Sequence, residues 1–328
     1  MAQLVSAKWF VAQTVRGKWF VTQMADSDNK STIDPIVSVI VPCYNSERTI
    51  RTCLHSILAQ QTSVPYEVIV VDSSEDKTPE IVAGEFPSVR LIHLERRTFA
   101  GAARNIGAKA SQAPFCLMID SDCIAQPDLI ERMMIRHREA EYAAVGGSLR
   151  NGTPRSLSGW TGYLLEFKEF IPAAPMRLES SIPTANAAYR REALERYGFF
   201  DEDMWLAEDI LFNWKMHKSG ERILFDPAIE VIHLNRTGWR TVLSYQVSLG
   251  RCSAEARRRG GMPGDILLRY PLLIVLMPIV RVFRAASWLA KTDLRTLLMF
   301  VAISPMYFLA ACFWSFGFAD RRTPAKPE

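Results

Sequence analysis

One short stretch at residues 115–122, Phe-Cys-Leu-Met-Ile-Asp-Ser-Asp, constrains the fold of this chain more than any other. Its first five residues are apolar, which is typical of a strand inside a parallel sheet that has helices on both faces. Asp120 and Asp122 follow at the carboxyl end of this predicted strand, where such sheets bind their ligands. Two carboxylates at this spacing can share a divalent cation, Mg²⁺ or Mn²⁺, and the oxygens of a diphosphate. The alternative is a solvated Asp-Ser-Asp turn.

Strand-like and helix-like runs alternate through the first half of the chain. Apolar, β-branched runs predict strands at residues 36–41, 66–71, 89–94, 115–119 and 142–148. Helices are predicted at residues 46–60, from residue 79, and at residues 99–110 and 127–140. This order predicts an α/β fold with a mostly parallel central sheet and helices on both faces. The sequence contains neither a Gly-x-Gly-x-x-Gly motif nor a Walker loop, which disfavours dehydrogenases and P-loop enzymes.

The second half continues this pattern less clearly. Residues 151–181 carry little periodic signal. Further strands are predicted at residues 183–189, 222–225 and 229–233, and helices at residues 190–197 and 207–220. Together with the first half, these elements predict one α/β domain at residues 36–260.

The N-terminal 35 residues contain a repeat. Lys-Trp-Phe-Val at residues 8–11 returns at residues 18–21. The two copies could form a hairpin or an aromatic, basic segment on a membrane surface. Alternatively, translation starts at Met24 and the repeat is not made. We interpret residues 1–35 as an N-terminal extension, open to disorder; its first 25 residues lack the apolar core of a secretory signal peptide.

Residues 261–328 are predicted to associate with a membrane. Residues 297–319 contain no charged side chain and are numerous enough to cross a bilayer. The apolar run at residues 266–283 is interrupted by Arg269, Pro271 and Pro278, so a re-entrant or in-plane helix is equally compatible with it. Basic residues outnumber acidic ones between residues 236 and 295, which favours an anionic membrane surface.

The overall composition limits the partners and the compartment. The net charge of +4 does not point to nucleic acid, and we expect none as a partner. The six cysteines form neither a Cys-x-x-Cys pair nor a metal-binding spacing, which is typical of a reduced compartment. We therefore expect the protein at the cell inner membrane, with the α/β domain on the cytoplasmic side.

Several motifs follow the predicted strands in a fixed order. They are Val-Ile-Val-Pro-Cys-Tyr-Asn at residues 39–45, Val-Val-Asp-Ser-Ser-Glu-Asp-Lys-Thr at 70–78, Gly-Ala-Ala-Arg-Asn-Ile-Gly at 101–107, Asp-Ser-Asp at 120–122, and Gly-Phe-Phe-Asp-Glu at 198–202 followed by Glu208 and Asp209. In this order they resemble the inverting glycosyltransferases of family 2, which have the GT-A fold. The resemblance covers about residues 36–259. It implies a catalytic domain that transfers a sugar from a nucleotide-sugar donor.

The resemblance also implies roles for individual residues. The donor-binding residues would be Pro42, Tyr44, Asn45, Glu47, Asp72, Arg104 and Asp120. Asp122 and Asp120 would bind the metal ion, with His233 as a third ligand. Asp209 would be the general base for the acceptor hydroxyl, with Glu208 beside it. Ser73 stands where the family commonly has a second Asp, which leaves the nucleotide base open, and a UDP-sugar is favoured on family frequency alone.

Processive members of the family carry a Gln-x-x-Arg-Trp motif after the base. This chain has Tyr-Gln-Val-Ser-Leu-Gly-Arg at residues 245–251 instead, which favours the addition of a single sugar. We expect a lipid-linked or saccharide acceptor, in the biosynthesis of a cell-surface polysaccharide or glycolipid.

Two other functions are compatible with the pattern. A nucleotidyltransferase that acts on a sugar phosphate should have a glycine-rich loop after the first strand, and residues 42–47 contain no glycine. A membrane scaffold that kept the fold and lost activity would not need both carboxylate pairs.

Overall fold

The computed structural model describes residues 34–320 in full and the backbone of residues 12–15 and 18–21. The strands are β1 (Ala12–Val15), β2 (Lys18–Val21), β3 (Val37–Cys43), β4 (Tyr66–Asp72), β5 (Arg90–His93), β6 (Phe115–Ile119), β7 (Cys123–Ala125), β8 (Ala144–Asn151), β9 (Arg177–Leu178), β10 (Asn186–Arg190) and β11 (Ile223–His233). The α-helices are α1 (Ile50–Leu58), α2 (Thr78–Glu85), α3 (Ala100–Ala110), α4 (Leu129–Glu139), α5 (Leu157–Phe167), α6 (Arg191–Arg196), α7 (Glu208–Lys218), α8 (Trp239–Gly260), α9 (Ile266–Arg269), α10 (Met277–Thr292) and α11 (Leu294–Ala319), with a 3-10 helix at Pro271–Leu276.

A nine-stranded mixed sheet forms the centre of the molecule. Its order is β5-β4-β3-β6-β10-β8-β11-β7, with β9 paired to β11. Strands β3, β4, β5 and β6 are parallel, and β11 is parallel to β8. Strand β10 runs antiparallel to both β6 and β8. The predicted α/β fold with a mostly parallel sheet is confirmed, and the carboxyl ends of β3, β4 and β6 lie at one edge of it.

Several predicted strands have the expected bounds, and others differ. The runs at residues 66–71 and 115–119 correspond to β4 and β6. The two strands expected at residues 222–225 and 229–233 are one strand, β11, with a bulge between Asp226 and Glu230. Beside the bulge, a Cβ at Gly147 would lie 1.9 Å from the carbonyl oxygen of Ile229, so that only glycine permits this approach of the strands.

Each face of the sheet has its own hydrophobic core because side chains alternate along a strand. Val39 and Leu117 belong to the core that α1 and α4 cover. Ile40 and Met118 point to the opposite face and belong to a second core. The core residues Phe300, Ile303 and Tyr307 of α11 are part of this second core. The C-terminal helices therefore pack as a layer of the folded domain.

Two C-terminal helical stretches have a length and composition compatible with a membrane span. They are Pro271–Thr292 and Leu294–Ala319. Two basic residues, Arg281 and Arg284, lie within α10. Helix α11 packs closely on α8, since a Cβ at Gly317 would lie 2.0 Å from the carbonyl oxygen of Val247.

The backbone of the N-terminal repeat forms a hairpin in the part that is described. Strands β1 and β2 are antiparallel, with Ala12 opposite Val21. The hairpin expected from the sequence would pair the two copies with each other, whereas this one pairs residues 12–15 with the second copy, so that expectation stays a prediction. The first Lys-Trp-Phe-Val copy, at residues 8–11, lies outside the described residues, as does most of the extension.

The close packing of α8 on α11 predicts that replacing the glycine at this contact lowers the stability of the protein. Gly317→Ala should lower the free energy of unfolding by about 1–3 kcal/mol, because the new methyl group would push two helix backbones apart. Gly84→Ala, in α2, is the matched control: nothing lies within 4 Å of its Cβ position. This control should stabilise the protein by about 0.4–1 kcal/mol. Chemical denaturation measures both, and equal stabilisation by the two variants would contradict the packing.

Candidate active site

The loops after β3 and β4 are tied together by hydrogen bonds. Asn45 has a left-handed backbone with φ of 51°, and its N–H donates to Ser74 Oγ at 2.7 Å. The N–H of Glu75 donates to Asn45 Oδ1 at 3.0 Å. The N–H of Glu47 donates to Asp76 Oδ2 at 3.2 Å. The predicted donor-binding loop after β3 is therefore held in place by hydrogen bonds to the loop after β4.

Two further predicted donor-binding residues, Pro42 and Tyr44, frame the start of this loop. Pro42 lies in β3, and both side chains are half-buried. The guanidinium carbon of Arg97 lies 4.3 Å from the centroid of the Tyr44 ring, a cation–π distance. Their contact with a donor stays a prediction.

Asp72 is fully buried at the end of β4. Its Oδ1 accepts a hydrogen bond from Ser74 Oγ at 2.5 Å, and its Oδ2 lies 2.7 Å from Nδ1 of His93. Both carboxylate oxygens thus have partners within the protein, and Asp72 holds the loop that carries Ser74. Its role in donor binding stays a prediction.

The two aspartates after β6 have different partners. Asp120 Oδ1 accepts a hydrogen bond from Arg104 Nη2 at 2.6 Å. Asp122 Oδ1 lies 3.6 Å from Nε2 of His233, the last residue of β11. Ser121, between them, shares a hydrogen bond of 2.8 Å with Ser46 in the loop after β3. The structure brings the predicted metal ligands Asp122 and His233 together. It places Asp120 in an ion pair with Arg104, and the metal-binding role of Asp120 stays a prediction.

The hydrogen bonds around His233 indicate the tautomer of its neutral ring, that is, which of the two ring nitrogens carries the proton. Asn235 donates from Nδ2 to Asn151 Oδ1 at 2.8 Å and to the carbonyl of His233 at 3.1 Å, so its own Oδ1 is an acceptor. Nδ1 of His233 lies 2.9 Å from that oxygen and therefore carries the proton. In the neutral ring, the lone pair is then on Nε2, which faces Asp122. Metal-binding histidines are usually held in this way by a second residue.

The donor atoms available here suit a hard divalent cation. Those of Asp122, Cys123 and His233 lie within 4.8 Å of one another. Burial, together with the charges of Asp122 and Asp120, raises the pKa of the Cys123 thiol, which remains protonated and is a poor ligand. A carboxylate and an imidazole, with no thiolate, fit Mg²⁺ or Mn²⁺.

Arg104 connects the strand edge to helix α7. Its side chain is 3% exposed. Besides its bond to Asp120, its Nη1 donates to Glu208 Oε1 at 2.7 Å. The next residue, Asn105, exchanges two hydrogen bonds with the backbone of Phe200, one in each direction. Helix α3 thus holds the segment of residues 198–202 and the start of α7 against the carboxylates of β6.

Glu208 and Asp209 begin α7 after Ala207, whose backbone is left-handed with φ of 65°. Burial raises the pKa of both carboxyl groups, and repulsion from Asp209 raises that of Glu208 further, whereas Arg104 lowers both. Glu208 is buried and its carboxylate is bound to Arg104. Asp209 is partly exposed, and its Oδ2 accepts only long hydrogen bonds from Thr184, at 3.3 and 3.4 Å. Asp209 is therefore the more accessible of the two carboxylates, and its role as the general base stays a prediction.

The family model described as "Glycosyl transferase family 2" matches residues 38–198. Residues 38–198 therefore match a glycosyltransferase family 2 domain. The matched region contains the two loops, Arg104, Asp120 and Asp122. Glu208, Asp209 and His233 lie beyond it, so their assignment rests on the contacts described above.

Curated relatives of this chain include two proteins of bacterial polysaccharide synthesis. "Succinoglycan biosynthesis protein ExoO" of Rhizobium meliloti (strain 1021) is 33% identical over 227 residues, 64% of either chain. "Poly-beta-1,6-N-acetyl-D-glucosamine synthase" of Staphylococcus aureus (strain COL) is 25% identical over 199 residues, 58% of this chain and 48% of the relative. The chain spans less than two thirds of the length of these relatives.

A solved structure with the same fold is "Mannosyltransferase PcManGT from Pyrobaculum calidifontis in complex with GDP-Man and Mn2+". It superposes with a TM-score of 0.58 at 23% identity and covers 90% of this chain and 89% of that one. The similarity confirms the GT-A fold expected from the motifs.

Sequence reasoning missed several residues at the candidate site. Glu166, Asn235, Arg236 and Tyr245 line a small cavity beside His233, together with Gly162 and Val242. Burial raises the pKa of Glu166. Asn235 could have been suspected from its spacing of two residues from His233. Glu166 and Tyr245 lie on α5 and α8, helices that the sequence did not indicate.

The ion-pair network predicts a large cost for removing Arg104. Arg104→Met should lower the free energy of unfolding by about 3–5 kcal/mol, because it leaves two carboxylates without their buried cation. Arg259→Met is the matched control, since Arg259 forms more exposed ion pairs with Asp201 and Glu255. The control should cost about 0–1 kcal/mol. Urea denaturation of both variants measures the difference, and similar losses would show that Arg104 does not compensate buried charge.

Proposed function

We propose that this chain transfers one sugar from a nucleotide-sugar donor to a saccharide or lipid-linked acceptor, with a divalent metal ion and with inversion at the anomeric carbon. The observation that carries the proposal is the approach of Asp122 Oδ1 to Nε2 of His233, at 3.6 Å. Arg104 and Asp120 connect this site to the carboxylates at the start of α7. A metal-binding pair and a carboxylate with raised pKa are what an inverting transfer requires.

The chain's own residues account for the proton transfer. Asp209 accepts the proton of the acceptor hydroxyl while that oxygen attacks the anomeric carbon of the donor sugar. The bond between this carbon and the diphosphate oxygen breaks on the opposite side, and the nucleoside diphosphate leaves with the bonding electrons. Asp122 and His233 would hold the metal ion, which, when bound, neutralises the charge of the leaving diphosphate. Arg104 keeps Asp120 and Glu208 in place.

The substrates belong to a class suggested by the relatives. Their printed names refer to succinoglycan biosynthesis and to a poly-N-acetylglucosamine synthase. We therefore propose a role in the biosynthesis of a cell-surface polysaccharide or glycolipid. We favour a UDP-sugar as the donor and the addition of one sugar per acceptor. We place the enzyme at the cytoplasmic side of the inner membrane, where nucleotide sugars are made.

The metal requirement can be tested with the purified enzyme and a panel of UDP- and GDP-sugars. Release of the nucleoside diphosphate should be lost in excess EDTA and restored by Mn²⁺ or Mg²⁺. Asp122→Asn should abolish it, because the variant loses a charged ligand. Asp128→Asn is the control, since Asp128 pairs with Arg132 at the protein surface. Full activity in excess EDTA would refute the metal-dependent reaction.

The role of Asp209 predicts a loss of turnover without a loss of donor binding. Asp209→Asn should lower kcat by about 10²–10⁴-fold, the contribution typical of a general base. Asp203→Asn, in the exposed loop before α7, is the control and should be unaffected. Calorimetry of donor binding and initial-rate kinetics separate the two effects. An equal loss of affinity and turnover in Asp209→Asn would instead assign Asp209 to the donor site.

A further inference from the structure

Helix α11 has two apolar faces, and each runs along its whole length. One face is buried and includes Phe300, Ile303, Tyr307, Trp314 and Phe318. The other is exposed and is spaced at three to four residues, as expected for one side of a helix. Its large side chains are Leu294, Leu298, Val301, Phe308, Leu309, Phe313 and Phe316. We call these seven residues the outer stripe.

The buried face of α11 is fixed to the catalytic domain at both ends. Near its start, Phe300 and Ile303 share a core with Ile40 and Met118 of the central sheet. Near its end, Arg251 of α8 forms an ion pair with Asp320 at 2.7 Å. A helix held in this way cannot leave the domain without opening the core beneath the sheet.

The partner of α11 is not suited to a bilayer interior. Helix α8 exposes Arg240, Arg258 and Arg259, and its exposed residues also include Thr241 and Ser244. If α11 crossed a membrane with its partners attached, these charges would enter hydrocarbon, where arginine is strongly disfavoured. The length and composition of α11 alone would permit a span, but its packing does not.

The outer stripe is nevertheless an apolar surface that would be more stable in contact with a binding partner or a lipid than with water. Contiguous exposed apolar surfaces of this extent are uncommon on soluble monomers and mark binding surfaces. The preceding elements add exposed apolar residues, among them Leu272, Val275 and Phe283.

The charge pattern around the stripe favours an anionic surface. Residues 266–319 contain five basic residues and a single acidic one, Asp293. Among the basic ones, the side chains of Arg269 and Arg284 are 74% and 71% exposed, and Lys291 and Arg295 are also exposed. Apolar side chains beside exposed cations are typical of helices that lie in a membrane interface.

We propose that α11 lies in the plane of an anionic leaflet, with the outer stripe in the acyl region, and does not cross the bilayer. The attachment is monotopic, and the GT-A domain rests on the membrane surface through α10 and α11. This inference concerns the mode of attachment and does not depend on the proposed sugar transfer.

The depth of the stripe tests this geometry. Single cysteines replace Leu298, Val301, Phe308, Phe313 and Phe316 in a Cys312→Ser background; the other five cysteines are buried. The full chain is labelled with a fluorophore and bound to vesicles of phosphatidylcholine and phosphatidylglycerol that carry lipid quenchers at known depths. Residues 298 and 316 are separated by about 27 Å along the helix axis. In-plane attachment predicts the same shallow depth for all five labels, about 5–10 Å below the headgroups.

Two results would overturn the proposal. A spanning helix would place residue 308 near the bilayer midplane and residues 298 and 316 near opposite surfaces. A stripe that is covered by a second copy of the chain would show no quenching by lipid, and light scattering would report a dimer.

Vesicle flotation provides an independent measurement. The double variant Leu298→Glu and Val301→Glu should lose at least tenfold in vesicle binding, because two charges enter the stripe at exposed positions where folding is unaffected. Ile135→Glu, at an exposed position of α4, is the control and should float like the wild type. Circular dichroism confirms that both fold. Unchanged flotation of the double variant would show that the stripe does not contact lipid.

Discussion

The buried ion pairs of Arg104 are the interaction on which the site depends. Arg104 lies on α3, Asp120 follows β6 and Glu208 begins α7, so one guanidinium joins three elements that are far apart in sequence. Taking carboxylates out of water is costly unless a cation compensates them. With Glu208 occupied in this way, Asp209 is left as the carboxylate with a raised pKa and without a cation bound to it. The same network therefore holds the three elements of the site together and leaves Asp209 available for the role of base that we propose.

The proposed metal-binding end of the site is connected through the chain to the helices that we propose to rest on the membrane. Strand β11 ends at His233, and α8 begins at Trp239. Helix α8 then packs against α11, backbone to backbone, at Gly250 and Gly317. A catalytic domain joined to its membrane-facing helices through such close contacts would keep a constant orientation to the lipid surface. That arrangement suits an acceptor that is itself presented at a membrane.

The sequence predicted those strands and turns whose own residues show a clear apolar or polar pattern. The apolar run of β6 and the paired aspartates after it could be placed because a buried strand and a polar turn each have a strong signal. Helix α8 could not be predicted in this way. Its buried face includes Gln246, Gly250 and Ser253, which are not apolar side chains and so give no helical pattern of apolar residues. The complete burial of Asp72 also could not be foreseen, since it depends on His93 from the neighbouring strand.

The central claim is that Asp122 and His233 hold a divalent cation at a nucleoside-diphosphate site. Electron paramagnetic resonance of Mn²⁺ measures this directly, without an acceptor and without turnover. With UDP present, or with GDP if the donor panel selects it, we predict one tightly bound Mn²⁺ per wild-type chain. Asp122→Asn and His233→Gln should each weaken binding at least tenfold. Equal Mn²⁺ binding by the wild type and both variants would contradict the account.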